Sequence, residues 1–203
     1  MRDEVRADAL LASLEEEHKG KLKVFLGAAP GVGKTYAMLQ AVREQAKEGV
    51  DILIGVVETH GRQETLALLD KLAIQPRKLH HHRQQRLEEM DLDGLLERKP
   101  AIVVVDELAH TNAPGSRHEK RWQDVEELLG AGIDVYSTLN VQHLESLNDL
   151  VWQLTGVRVK ETLPDQVLLE ADSLVLIDLP PKELLGRLKE GKVYVPHQAK
   201  AAL

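Results

Sequence analysis

Short apolar runs alternate with longer stretches in which leucine, valine and alanine recur at every third or fourth position. Residues 22–26, 52–57, 101–105, 133–139 and 173–178 read as strands, and the core of several is unbroken apolar sequence rather than an alternation. Strands of that kind are buried on both faces, as in a parallel sheet. Between them the spacing predicts helices over 33 to about 48, 62–72, 92–97, 122–129, 141–154, about 165–171 and 182–189. Gly49 closes the first of these helices and Pro76 breaks the second, leaving room for short strands at 77–80 and 157–160.

Strands and helices that alternate at this pitch predict β-α units and an α/β fold, with a doubly wound, mainly parallel sheet. Residues 3–18 place Val5, Ala9, Leu10 and Leu14 at helical spacing and stop at Gly20, so residues 1–20 are read as a leader helix and 21–203 as one domain. Residues 195–203 open another helix without a stop signal, which is expected where a longer protein continues.

Composition narrows this picture. Aromatic residues make up only 3% of a chain that is 43% hydrophobic, so the core must be built from aliphatic side chains. A formal net charge of -7 offers no field for a polyanion spread over a large surface, and nucleic acid is not expected as a partner. With no cysteine, disulfides and thiolate metal sites are excluded. No apolar stretch is long enough to cross a bilayer, so no membrane contact by this segment is expected.

The chemistry concentrates at strand ends. After the first strand the chain reads Gly27-Ala-Ala-Pro-Gly-Val-Gly-Lys-Thr35, and a helix follows. A glycine-rich turn aims successive backbone N–H groups into one concavity, and the helix adds its positive end. The nucleotide-binding segment is expected to be Ala29, Pro30, Gly31, Val32, Gly33, Lys34, Thr35 and Tyr36, with Lys34 on the phosphates and the Thr35 hydroxyl on Mg²⁺. The usual pattern G-x-x-x-x-G-K-[ST] would start at position 28, where this chain has Ala28 and carries its glycine one residue earlier. The fold expected from this loop is that of the P-loop nucleoside triphosphatases, with ATP and Mg²⁺ as ligands.

The run Ile102-Val-Val-Val105 ends in Asp106-Glu107, a strand that delivers carboxylates to the sheet edge in the manner of a Walker B motif. Asp106 is then a Mg²⁺ holder and Glu107 a candidate catalytic base. The alternative is a buried strand ending at a solvated acidic turn. Neither Asp-x-x-Gly here nor a later Asn-Lys-x-Asp occurs, which favours ATP over GTP. Thr138 and Asn140 are candidates for sensing the terminal phosphate, or else ordinary loop caps. Glu58 to Arg62 leaves the second strand at the same edge, facing either a ligand or the next helix as its cap. Residues 107–118 form a polar loop with Pro114-Gly115, expected to pack weakly and to respond to ligand. Arg62, Arg117 and Arg121 are the candidates for an arginine finger. His80-His81-His82 points to alternating faces in an extended chain, a surface pattern rather than a metal site.

Four segments in order resemble one family. Gly27 to Leu39, Val57-Glu-Thr-His-Gly-Arg62, Val105-Asp-Glu-Leu-Ala-His-Thr-Asn112 and Ser137-Thr-Leu-Asn-Val-Gln-His143 look like the N-terminal cytoplasmic domain of the KdpD family of osmosensitive, potassium-responsive sensor histidine kinases. The resemblance implies an ATP-binding regulatory domain of a two-component system that controls a high-affinity potassium uptake pump. It also implies a cytoplasmic position in a protein of the bacterial inner membrane, with the kinase core and other cytoplasmic domains of the same protein as partners. No phosphoacceptor histidine helix or kinase core is found in these 203 residues. Two functions stay open: a module whose nucleotide modulates the kinase, or an autonomous ATPase or P-loop protein kinase acting on a protein hydroxyl.

Overall fold

The computed structural model describes residues 18–82, 85–156 and 158–189. The expected leader helix lies outside these residues up to position 17, as does the expected helix start after 195. Six strands form one sheet in the order β3-β2-β6-β7-β1-β8 and every neighbouring pair is parallel. They are β1 (Leu22–Gly27), β2 (Ile52–Val56), β3 (Ala73–Ile74), β6 (Ile102–Val105), β7 (Asp134–Asn140) and β8 (Ser173–Ile177).

Helices cover both faces. α1 (Lys34–Lys47) packs Met38, Leu39 and Val42 against Phe25, Ile52, Ile54, Ile102 and Val104. The alternate residues, Leu22, Val24, Leu53, Val103, Val105 and Val135, meet α3 (Leu92–Arg98), α4 (Arg121–Gly130) and α6 (Asp165–Leu169) through Leu95, Val125, Leu128 and Val167. Because successive side chains of a strand point to opposite faces, the valine run at 103–105 feeds both cores at once. That is why its sequence shows no polar alternation.

The structure departs from the sequence reading in four places. The predicted helix over 62–72 is only α2 (Gln63–Leu68) and is followed by the short β3. The strand expected at 77–80 is β4 (Lys78–His82), which pairs with β5 (Gln85–Glu89) in a separate antiparallel hairpin instead of joining the main sheet. The helix expected over 141–154 breaks into the 3₁₀ turns Val141–His143 and Glu145–Leu147, with α5 (Asn148–Thr155) after them. Residues 158–160 form no strand, and 157 lies outside the described residues. The helix expected over 182–189 is α7 (Pro181–Lys189).

No helix among the described residues is long and apolar enough to cross a membrane.

Candidate functional site

Parallel strands end together, so the loops after β1, β2, β6 and β7 gather at one sheet edge. Register sets who meets whom. Gly27 pairs with Asn140 across β1 and β7, and Val105 pairs with Ser137 across β6 and β7. These pairs bring the glycine-rich loop beside Asn140 and put Asp106 next to Thr138. Between the loops lies a cleft of about 510 Å³, whose wall includes Gly33, Lys34, Thr35, Arg62, Asp106 and Glu107. A hollow of about 660 Å³ sits at the amino end of the strands, around Lys21, Leu22, Trp122 and Asp172, away from these groups.

The loop is held by its own backbone demands. Gly31 and Gly33 have φ of 84° and 105°, a left-handed conformation that side-chain-bearing residues rarely adopt. Gly27 is required for space, because a Cβ there would stand 2.7 Å from Val32 Cγ2 and 2.8 Å from Lys34 Cδ. Val32 is buried and folds the loop back over Gly27, which explains why glycine is needed at 27 while Ala28 is exposed.

Gly33 caps α1, and Lys34, its first residue, is buried with its Nζ donating to Asn140 Oδ1 (2.5 Å) and Ala29 O (3.3 Å). Burial lowers the ammonium pKa to about 8; Asp106 opposes that shift and Arg62 adds to it.

Asp106 is buried and fully engaged. Its Oδ2 accepts from Thr35 Oγ1 at 3.1 Å and from the Glu58 backbone N–H at 3.1 Å. Its Oδ1 accepts from the Glu107 N–H at 3.1 Å and from the Thr138 hydroxyl. Thr138 is therefore a prop for the carboxylate, while Asn140 is the β7 residue that meets the lysine. Arg121, buried at 3% exposure, donates to the Asp106 carbonyl at 2.9 Å and to Glu89 at 3.3 Å. It is thus a brace behind the site and not a finger. Arg117 is committed to Asp93 and Glu127 on the loop's outer side. Of the three arginines singled out in the sequence, Arg62 lines the cleft.

Glu107 has φ 57° and His60, across the cleft, has φ 50°, with Nε2 and Oε1 3.8 Å apart. Two non-glycine residues in left-handed conformation facing each other is the kind of local strain that gathers at functional sites. The Glu107 carboxyl is pushed above the ordinary carboxylate range, first by the loss of hydration among its neighbours and then by the charge of Asp106. Glu58 pairs instead with Arg77, at 2.8 Å.

The loop over 107–118 corrects an expectation. Leu108, Ala109, Asn112 and Ala113 are buried, Leu108 N–H donates to Thr138 O at 3.0 Å, and Asn112 Nδ2 donates to Asp124 at 2.7 Å. The exposed residues of the loop are Glu107, Pro114, Gly115 and Arg117. Of the histidine run, His80 is half-buried and His81 exposed, and no cluster of three or more His, Cys, Asp or Glu fit for a metal occurs among the described residues.

Sequence reasoning gave no site role to the far wall, Gln142, His143 and Glu161, or to Arg187 beside the loop. His143 Nδ1 bonds the Glu161 carbonyl at 2.7 Å, and Arg187 Nη1 donates to Gly31 O at 3.3 Å. The His143 to Glu161 link joins positions 18 apart across two turns and a helix, so no single periodicity announces it.

Fold and site define a parallel α/β domain whose carboxyl edge joins a glycine-rich loop, a buried lysine and a buried aspartate. The profile of the family described as "KdpD: Osmosensitive K+ channel His kinase sensor domain" matches residues 18–203, and the chain belongs to that family. It is 57% identical over 196 residues to the sensor protein KdpD of Escherichia coli, which covers 97% of the chain and 22% of that relative. The sensor protein KdpD of Mycobacterium tuberculosis is 50% identical over 185 residues, covering 91% and 22%, and a putative sensor protein KdpD of Synechocystis is 50% identical over 192 residues, covering 95% and 52%. The chain thus spans about a fifth of the first two relatives and about half of the third.

Proposed function

We propose that this domain is a nucleotide-binding regulatory module, taking Mg-ATP on the loop at 29–36, and that nucleotide occupancy modulates the kinase core of a larger two-component sensor acting on potassium uptake. The carrying observation is the convergence of Lys34, Thr35 and Asp106 at one strand edge, with the Thr35 hydroxyl and the Asp106 carboxylate 3.1 Å apart. Lys34 rests on two neutral oxygens, which a phosphate oxygen outbids as an acceptor because it is charged. The donor set fits a hard cation that obtains most of its ligands from phosphate and water, with Thr35 and Asp106 completing its shell. Bound Mg²⁺ would supply charge neutralisation along the phosphates. The chain's own part is to aim backbone N–H groups, hold the lysine and fix the aspartate through Thr138, Glu58 and Arg121. On this reading the domain holds phosphate as the P-loop nucleoside triphosphatases do, and the parallel sheet order is compatible with that fold.

Asp106→Asn tests the metal half. Titrations of ATP with and without Mg²⁺ should show a strong magnesium dependence in the parent protein that shrinks in the variant. An unchanged dependence removes Asp106 from the metal site.

One observation favours hydrolysis as a second reading: Glu107, with its raised pKa, stands beside Asp106 on the cleft wall where it could activate a water. Phosphate release that Glu107→Gln abolishes while ATP binding persists supports this second function, and no turnover in the parent chain restricts the domain to sensing.

A further inference from the structure

Two guanidinium groups flank the glycine-rich loop from opposite sides. Arg62, at the start of α2, lies on the cleft wall with Lys34, Asp106 and Glu107. Arg187, on α7, approaches from the β8 side, where Nη1 donates to Gly31 O at 3.3 Å and stands 3.6 Å from the position a Cβ would take on Gly33. β8 pairs with the opposite edge of β1 from β7, with Gly27 against Ile177, so the chain leaving β8 rises beside the loop. The two arginines repel, and Arg187 helps hold Arg62 below its ordinary value, after burial. No ion pair with a carboxylate is formed by Arg187 among the described residues. One long bond to a neutral carbonyl uses a single N–H of the five a guanidinium carries.

A half-buried cation with a weak neutral acceptor, pressed on an anion-binding turn and facing a second cation, is an arrangement that an anion relieves. We propose that Arg187 is a second anion-binding cation of this loop, taking the inner phosphates of a nucleoside di- or triphosphate from the β8 side and so tying α7 to occupancy of the cleft. The inference rests on the nucleotide reading above and adds which phosphates are held and which helix responds. The inner phosphates follow from position. A metal held by Thr35 and Asp106 would neutralise charge at the terminal phosphates on the β6 side, where Arg62 also stands, which leaves the inner end to a group across the loop at Gly31 and Gly33. On binding, Arg187 exchanges the Gly31 carbonyl for a phosphate oxygen, a stronger acceptor, and α7 is drawn onto the loop.

The test uses the whole 203-residue chain, calorimetry with Mg-ATP and with Mg-ADP, and hydrogen exchange over residues 182–189, with circular dichroism to confirm that each variant is folded. Arg187→Ala should lose about tenfold in affinity for ATP and ADP alike, since the inner phosphates are common to both. Arg187→Lys should recover part of that loss. Both nucleotides should slow exchange in α7 of the parent chain and leave it unchanged in Arg187→Ala. Arg62→Ala should weaken ATP more than ADP. Wild-type affinity for both nucleotides in Arg187→Ala overturns this inference and leaves the nucleotide reading intact, and so does a loss confined to ATP. A parent chain that binds neither nucleotide overturns both.

Discussion

The two walls of the cleft are built differently. One wall, the loop at 27–35 with Asp106 and Asn140, hangs from β1, β6 and β7, strands that are mostly buried and that pair with a neighbour on both sides. The other, Gln142, His143 and Glu161, belongs to a stretch of 3₁₀ turns, one short helix and irregular chain, with Leu150 and Leu154 at 50% and 77% exposure. The first is fixed by strand pairing and packing. The second is anchored in the core at the bridged pair Leu144 and Leu163 and otherwise rests on single bonds such as Asn148 Nδ2 to Val159 O at 2.8 Å. Cooperative burial makes a wall that cannot move without unfolding, whereas isolated contacts allow opening at much lower cost. A cleft with one rigid and one yielding wall suits a site that must hold a ligand and report it.

Substitutions should separate the walls. Phe25→Ala, on β1 under the rigid wall in the core against α1, should cost about 3–5 kcal/mol in denaturant unfolding, because it leaves a cavity between a central strand and a helix. A loss below about 1 kcal/mol, a typical surface-scale effect, would mean that this wall is no better packed than the other. Asn148→Ala should cost about 1 kcal/mol, the worth of one bond, and should raise hydrogen exchange over 141–163 while the strands stay protected. Leu154→Ala, on the outer face of the yielding wall, should change stability by no more than about 0.5 kcal/mol.

The same contrast explains what could be read from the chain. The continuous apolar run at 102–105 and the loop Gly27-to-Thr35 announced themselves because burial on both faces and tight glycine geometry leave local traces. So the parallel α/β architecture, the five principal strands and the meeting of Lys34, Thr35 and Asp106 at one edge were legible. Of the β4–β5 hairpin only β4 was legible, as the strand expected at 77–80; β5 sets a single Leu87 among Gln85, Arg86, Glu88 and Glu89, which shows no apolar pattern. Residues 141–154 carry helical spacing, but Leu144 is claimed by its pairing with Leu163, and tertiary contact overrides the local preference. Arg121 looked like a candidate finger because sequence shows charge and not burial, and the 107–118 loop looked loose because Leu108 and Ala113 do not reveal what they pack against. Arg187 becomes visible only once β8 is known to lie beside β1.

Lys34 offers a check on the rigid wall that needs no substitution. Its folded pKa of about 8 lies below the ordinary 10.5, so between these values the unfolded chain holds more protons at this position than the folded one. The unliganded protein should therefore gain stability from this group as pH rises through that window. Affinity for a polyphosphate should fall over the same window, because the free site has lost the ammonium that the anion needs. Affinity flat from pH 7 to 9.5 would place the lysine away from the ligand.

The most direct measurement is a calorimetric titration of Mg-ATP into the parent chain and into Lys34→Ala. The account predicts a saturable site in the first and affinity lower by about tenfold or more in the second, with unchanged circular dichroism, because the buried cation of the rigid wall is gone. Equal affinity in the two proteins, or no binding to the parent chain, would contradict it.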